Sequence, residues 1–241
     1  MLRALTSSSI SHGFLKSLIG VIGRPRSTFQ ALAAAPRWAG VLVFLTVVAA
    51  ASQALLLATE VGQVALVDRW ESRALAFGQD VDDVRYAQLQ NFSRNGPLYG
   101  VATAVASGPV LTTGIAAAIF MFFRTAPGVS VSFVQVLSVI AHGGVILVLR
   151  DVISAPISYV TEASGNVSLG RLFSAFDETS PVSRLLSAMD LFIVWWVLVL
   201  AVGVAVLYQR KPVRLAGAFL GVYVAGALLL TGAMALFGQS A

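Results

Sequence analysis

Five long runs of apolar residues dominate the chain. They cover about residues 38–57, 98–123, 131–149, 186–207 and 215–237. Crossing the hydrocarbon core of a bilayer takes about 20 residues of helix. Backbone polar groups in lipid must also be satisfied within the segment, which leaves only helix for runs of this kind. The pattern predicts an all-α membrane protein: an N-terminal segment, residues 1–37, followed by a five-span membrane domain, residues 38–241.

Three shorter stretches repeat apolar residues at helical spacing and predict amphipathic helices. They lie near residues 15–22, 80–92 and 169–176. In the second stretch, Asp80 is the predicted N-cap, because an aspartate oxygen can accept a first-turn N–H. Ser27 is the predicted cap of a short helix over residues 28–35 that ends before Pro36.

Composition and charge sharpen the membrane prediction. Only 11% of residues are charged, against roughly 25% in soluble domains. Nine of the 16 basic residues, and none of the 11 acidic ones, fall in residues 1–37 and in the loops that follow spans 2 and 4. The positive-inside rule then places the N-terminus in the cytoplasm and the C-terminus outside. The basic residues cluster at span ends, so we predict lipid contact and no nucleic-acid binding.

Span 3 has the most distinctive polar pattern. Ser132, Gln135, Ser138 and His142 share one helical face, and Arg150 follows eight residues later. Polar residues at membrane depth normally face protein rather than lipid. Two interpretations stay open: hydrogen bonds between helices, or a hydrophilic pathway in which His142 contacts a solute.

Asp190 is the most deeply placed charge, one turn inside predicted span 4. A carboxylate there needs a partner. Arg150 lies at the same predicted depth, at the outer end of span 3, and Asp151 is an alternative participant. The pair is either a structural contact at the outer boundary or an ion-coupling site.

Small residues recur every four positions in span 5, at Gly217, Gly221 and Ala225. Such ridges allow close helix contact, either within the chain or with a second protein. Gly143-Gly144 in span 3 predicts close packing in the same way.

The sequence offers nothing typical of an enzyme. It has no cysteine, two histidines far apart, and no phosphate-binding or nucleophile-elbow motif. We therefore expect no catalysis, no metal and no cofactor.

Several segments together resemble the Yip1-domain family, in its bacterial form. They are residues 24–38 before span 1, the Ser132 to His142 opening of span 3, and the opening of span 4 from Ser187 to Trp196. The resemblance covers about residues 15–237. It implies five helices with the N-terminus inside, a multi-pass location in a bacterial inner membrane, and partners among other membrane proteins or further copies of the chain. A retained N-terminal segment is favoured over a cleaved transit peptide.

The predicted function is that of a non-enzymatic accessory or scaffold protein assisting membrane trafficking or an ABC-type exporter. This rests on analogy with the family. The alternative is a small transporter or channel that uses the polar face of span 3. A cavity that contains His142 and reaches one side would favour transport, whereas a small-residue ridge facing outward would favour partner binding.

Overall fold

The computed structural model describes residues 13, 15–125, 130–161 and 190–238. Regular structure in these ranges is helical, without strands. Residues 15–23 form an N-terminal helical segment. The later helices are α1 (Pro25–Ala34), α2 (Ala39–Leu57), α3 (Glu60–Ala76), α4 (Asp83–Ser93), α5 (Gly96–Phe123), α6 (Phe133–Gly143), α7 (Val145–Thr161), α8 (Leu191–Tyr208) and α9 (Pro212–Gly238).

Five helical spans are long and apolar enough to cross a membrane. Four are α2, α5, α8 and the first part of α9; the remaining one joins α6 to α7 and runs from Phe133 to Pro156. Gly144, a single turn residue, separates those two helices. The predicted all-α membrane fold with five transmembrane helices is confirmed.

The chain divides into two compact units, and each span contributes residues to both. The first unit contains Met1–Thr46, Ser107–Val148 and Ile193–Leu220. The second contains Val47–Ala106, Leu149–Phe192 and Gly221–Ala241. Sequence-distant helix ends therefore meet within each unit, and each unit can hold its own polar cluster.

Two predicted helix starts are wrong. Helix α1 begins at Pro25, with Arg24 at its N-cap position, so Ser27 lies inside the helix and its hydroxyl donates to the Arg24 carbonyl. Proline fits the first turn because its missing N–H would have no partner there. Helix α4 is capped by Asp82 rather than Asp80: the Asp82 carboxylate accepts the Arg85 N–H at 2.8 Å. The predicted helix near residues 169–176 lies outside the described residues.

Helix α3, which the sequence analysis did not predict, fills much of the first long loop and packs against α4. The Thr59 hydroxyl caps it by accepting the Gly62 N–H at 3.1 Å. Its buried residues, Gly62, Leu66 and Val67, recur at helical spacing. A cap residue followed by Glu60 in the first turn was the signal in the sequence.

The turn between α8 and α9 is short and well defined. Gln209 adopts a left-handed backbone with φ 52°, and the Arg210 N–H donates to the Ala205 carbonyl at 3.0 Å. This hydrogen bond closes the end of a helix in the manner of a Schellman motif. Pro212 then opens α9, so Arg210 and Lys211 stay in the turn at the ends of two spans.

Close packing in the first unit depends on two glycines. A methyl group at Gly143 would lie 2.7 Å from the Leu200 side chain, and one at Gly203 would collide with Val139 and come within 3.2 Å of the Phe29 ring. Glycine thus lets α6, α8 and α1 approach one another. The α1 residue Phe29 is fully buried as a result, which fixes the segment before span 1 onto span 3.

Candidate functional site

The polar face of span 3 begins as a helix cap. The Ser132 hydroxyl accepts the Gln135 N–H, and the Gln135 side chain accepts the Ser132 N–H at 2.8 Å. This reciprocal arrangement is a capping box. The Gln135 amide also donates to the Ala33 carbonyl at 2.8 Å. One side chain therefore both starts α6 and satisfies the C-terminal end of α1.

Ser138 and His142 occupy the next turns of the same face and are buried. The Ser138 hydroxyl accepts the backbone N–H of Arg37 at 3.1 Å. The His142 Nδ1 lies 2.8 Å from the Ser138 carbonyl. Because a carbonyl oxygen only accepts, Nδ1 carries the hydrogen, and Nε2 of a neutral ring is then an acceptor. Gln135, Ser138 and His142 thus all face the segment that precedes span 1.

An open cavity of about 800 Å³ lies in the first unit, between the N-terminal segment, α1, the start of α2 and His142. Two cations line it, Lys16 and Arg37, together with Trp38 and apolar residues of α1. Among the span 3 candidates, His142 lines this cavity, whereas Gln135 and Ser138 do not.

Apolar packing borders this cavity. Val41 lines the cavity and also belongs to a buried cluster with Leu18, Leu45 and Ala141. Val145 and Val148 pack against that cluster. The wall at Val41 is therefore backed by packed apolar side chains.

A separate charge cluster lies in the second unit. Arg150 contacts two carboxylates, Asp151 at 3.1 Å and Asp190 at 3.4 Å. The structure thus brings together Arg150 and both of the acids that the sequence analysis considered. Asp190 directly precedes α8 rather than lying one turn inside a helix, and its Oδ1 accepts the Phe192 N–H at 2.8 Å. The carboxylate acts as a helix cap as well as an ion-pair partner.

Helix α3 brings a further cation to this cluster, one that sequence reasoning missed. Burial and the neighbouring Arg73 and Arg150 lower the pKa of Arg69, while Tyr99 and Asp151 act in the opposite direction. An arginine remains charged throughout the physiological range. Arg69 therefore adds positive potential beside Asp151. Its position depends on α3, which was not predicted, so Arg69 could not be assigned to this cluster from the sequence.

The small residues of span 5 are exposed in the described structure. Nothing lies within 4 Å of a methyl group built at Gly217 or Gly221, and Ala225 is exposed. In contrast, Gly143 and Gly144 both lie against other helices. Packing within the described part of the chain thus accounts for the span 3 glycines and leaves the span 5 ridge uncovered.

No group of three or more potential metal ligands occurs within the described ranges. The arrangement of side chains there is one of packing, capping and charge pairing around five apolar spans. It defines the class of the molecule as a polytopic α-helical membrane protein.

A family model for the Yip1 domain matches residues 19–238, which is most of the chain. The chain belongs to the Yip1 domain family, as the residues around span 1, span 3 and span 4 indicated. No curated protein and no solved structure matches it.

Proposed function

We propose that the chain is a non-enzymatic accessory or scaffold protein that assists membrane trafficking or an ABC-type exporter complex. The observation that carries this proposal is the use of the polar face of span 3. Gln135 and Ser138 hold the segment before span 1 through hydrogen bonds to Ala33 and Arg37. Because Gln135 and Ser138 form these internal hydrogen bonds, they are not available to line a path for solutes.

The uncovered ridge of α9 supports a partner-binding role. Gly221 and Ala225 are exposed on this helix, and no described residue of another helix lies within 4 Å of a methyl group built at Gly221. Small residues facing outward allow the backbone of a second helix to come close. In this proposal a membrane helix of another protein, or a second copy of the chain, packs there.

The test is affinity purification of the full chain in mild detergent, with mass spectrometry of the subunits that co-purify. Gly221→Leu should abolish the specific partner, because the bulky side chain blocks close approach while open space around it spares the fold. Val222→Leu is the matched control, since Val222 is exposed on the same helix but outside the ridge. Retention of the partner by Gly221→Leu, or its equal loss from the control, would contradict a role for the ridge.

A small transporter is the second candidate, and the cavity beside His142 is the observation that favours it. The apolar cluster around Leu45 borders this cavity through Val41. Transport would require that cluster to open. Solute or ion flux through vesicles containing the purified chain, lost in His142→Ala and kept in Gly217→Ala, would establish this alternative over the scaffold role.

A further inference from the structure

The cavity of the first unit contains two positive charges that no acidic side chain among the described residues pairs with. Lys16 and Arg37 both line it, and neither forms an ion pair among the described residues. The sequence has no acidic residue before Glu60. Two like charges around one cavity repel each other unless an anion lies between them. An anionic occupant of the cavity would be attracted by both cations.

The walls of the cavity are otherwise largely apolar. Leu32, Pro36 and Val41 contribute to them, and Trp38 stands at the edge. Trp38 opens span 1, and tryptophan is enriched at the headgroup level of bilayers, where one end of the ring is apolar and the other is wet. A purely hydrophilic anion would leave this apolar surface unused, whereas an amphiphilic anion would cover it.

Exposed apolar residues of span 1 follow the cavity along α2. Gly40 lines the cavity and has open space in place of a side chain. Further along α2, Val43 and Phe44 are exposed. A ligand with its charged end between Lys16 and Arg37 can therefore lay a hydrocarbon chain past Gly40 along α2.

His142 supplies a polar contact on the cavity wall. Its Nδ1 donates to the Ser138 carbonyl, and its Nε2 has no hydrogen-bond partner among the described residues. The side chain is 1% exposed, so its ring is held in a fixed orientation. A neutral ring presents Nε2 as an acceptor for a hydroxyl donor.

We propose that this cavity binds an anionic phospholipid, with the phosphate between Lys16 and Arg37, a headgroup hydroxyl near His142, and an acyl chain along α2. The positive-inside pattern predicts that this end of span 1 lies at the cytoplasmic leaflet, where anionic lipids attract basic segments. This cavity and the small-residue ridge of α9 involve different residues. The lipid-binding proposal can therefore be confirmed or overturned without affecting the proposed scaffold role.

The experiment measures lipid binding to the full chain, purified in nonionic detergent and stripped of lipid. The probes are phosphatidylglycerol, phosphatidylcholine and inorganic phosphate, each followed by thermal unfolding and by native mass spectrometry. Phosphatidylglycerol should raise the unfolding temperature more than phosphatidylcholine does, and inorganic phosphate should not reproduce its effect. Equal effects of the two lipids would overturn the proposal. An equal effect of inorganic phosphate would overturn the lipid as the source of the anion.

Matched variants separate this site from general attraction to a basic protein. Lys16→Gln with Arg37→Gln removes two cavity charges, and we expect about tenfold weaker binding of phosphatidylglycerol. Arg26→Gln with Arg124→Gln removes two exposed charges that do not line the cavity, and should bind as wild type does. Lys16→Arg with Arg37→Lys keeps the charges and should retain binding. Equal weakening in the two glutamine pairs would overturn the assignment of the site.

Discussion

At the scale of single residues, Asp190 shows how one carboxylate serves two structural purposes. One oxygen caps α8 through the Phe192 N–H, and the other lies beside Arg150. Arg150 in turn divides its guanidinium between Asp151 and Asp190. Arg150 is the residue that contacts both acids, so we expect its removal to have a larger effect than altering either acid.

We predict that Arg150→Ala is markedly less stable than Asp190→Asn. An asparagine oxygen still accepts the Phe192 N–H, so Asp190→Asn should cost less than about 1 kcal/mol. Arg150→Ala removes the guanidinium that contacts both carboxylates. Breaking a fully buried pair costs about 3–5 kcal/mol, and the partial exposure of Arg150 reduces this to about 1–3 kcal/mol. Thermal unfolding of the detergent-purified variants measures both effects.

Arg94→Ala serves as the control for this comparison, because Arg94 is an exposed arginine of the same unit with no ion pair in the described ranges. Its unfolding temperature should match that of wild type. Wild-type stability in both Arg150→Ala and Asp190→Asn would contradict the structural role of the cluster. Loss of solute or ion flux in Asp190→Asn, with intact folding, would instead favour ion coupling.

At the scale of helices, glycine has opposite consequences in different spans. Gly143 and Gly203 are crowded by side chains of neighbouring helices, whereas Gly217 faces open space. The three positions look alike in the sequence, since each is a glycine within an apolar run. Only their neighbours in the fold distinguish a packing contact from a free surface.

Gly203→Ala should therefore destabilise the protein by about 1–3 kcal/mol, because Val139 and the buried Phe29 ring must move to admit a methyl group. Gly217→Ala meets no such obstacle and should be neutral or stabilising by up to about 1 kcal/mol, since alanine favours helix over glycine. Thermal unfolding of the two variants, side by side in one detergent, gives the comparison. Equal stabilities would mean that α6 and α8 pack less closely than described.

At the scale of the whole molecule, the distribution of charge predicts the orientation. Every acidic residue falls on the side predicted to be outside, and the charged residues of the segments predicted to be inside are all basic. Crossing the membrane an odd number of times then puts the two termini on opposite sides. Five helices among the described residues are long and apolar enough to cross a membrane, while the direction of crossing stays a prediction.

We predict that a topology reporter fused after Ala241 reads outside and that one inserted near Gln209 reads inside. Gln209 lies in the turn between α8 and α9, beside Arg210 and Lys211, so the two reporters differ by one span. An insertion near Gly78, in the break between α3 and α4, is the control and should read outside. A cytoplasmic reading after Ala241 together with an outside reading near Gln209 would contradict the predicted orientation.

The sequence by itself determined the features that depend on solvent and on local spacing. Five runs of apolar residues predict five spans because lipid tolerates only helices with satisfied backbones. The resemblance to the family around Phe29, His142 and Asp190 could also be recognised from the sequence, because these residues lie near the ends of the predicted spans. The first residues of helices were harder to predict. Asp80 and Asp82 can both cap a helix, and moving the start of α4 by two residues leaves its pattern of apolar residues almost unchanged.

The tertiary structure alone decided which polar groups meet. Gln135 and Ala33, or Arg150 and Asp190, are separated by 102 and 40 residues, and their contact depends on how helices pack around Gly143 and Gly203. The cavity between Lys16, Arg37 and His142 arises in the same way. Spacing along a chain specifies the face on which a side chain lies, but the partner across that face depends on the close packing of bulky side chains from distant segments.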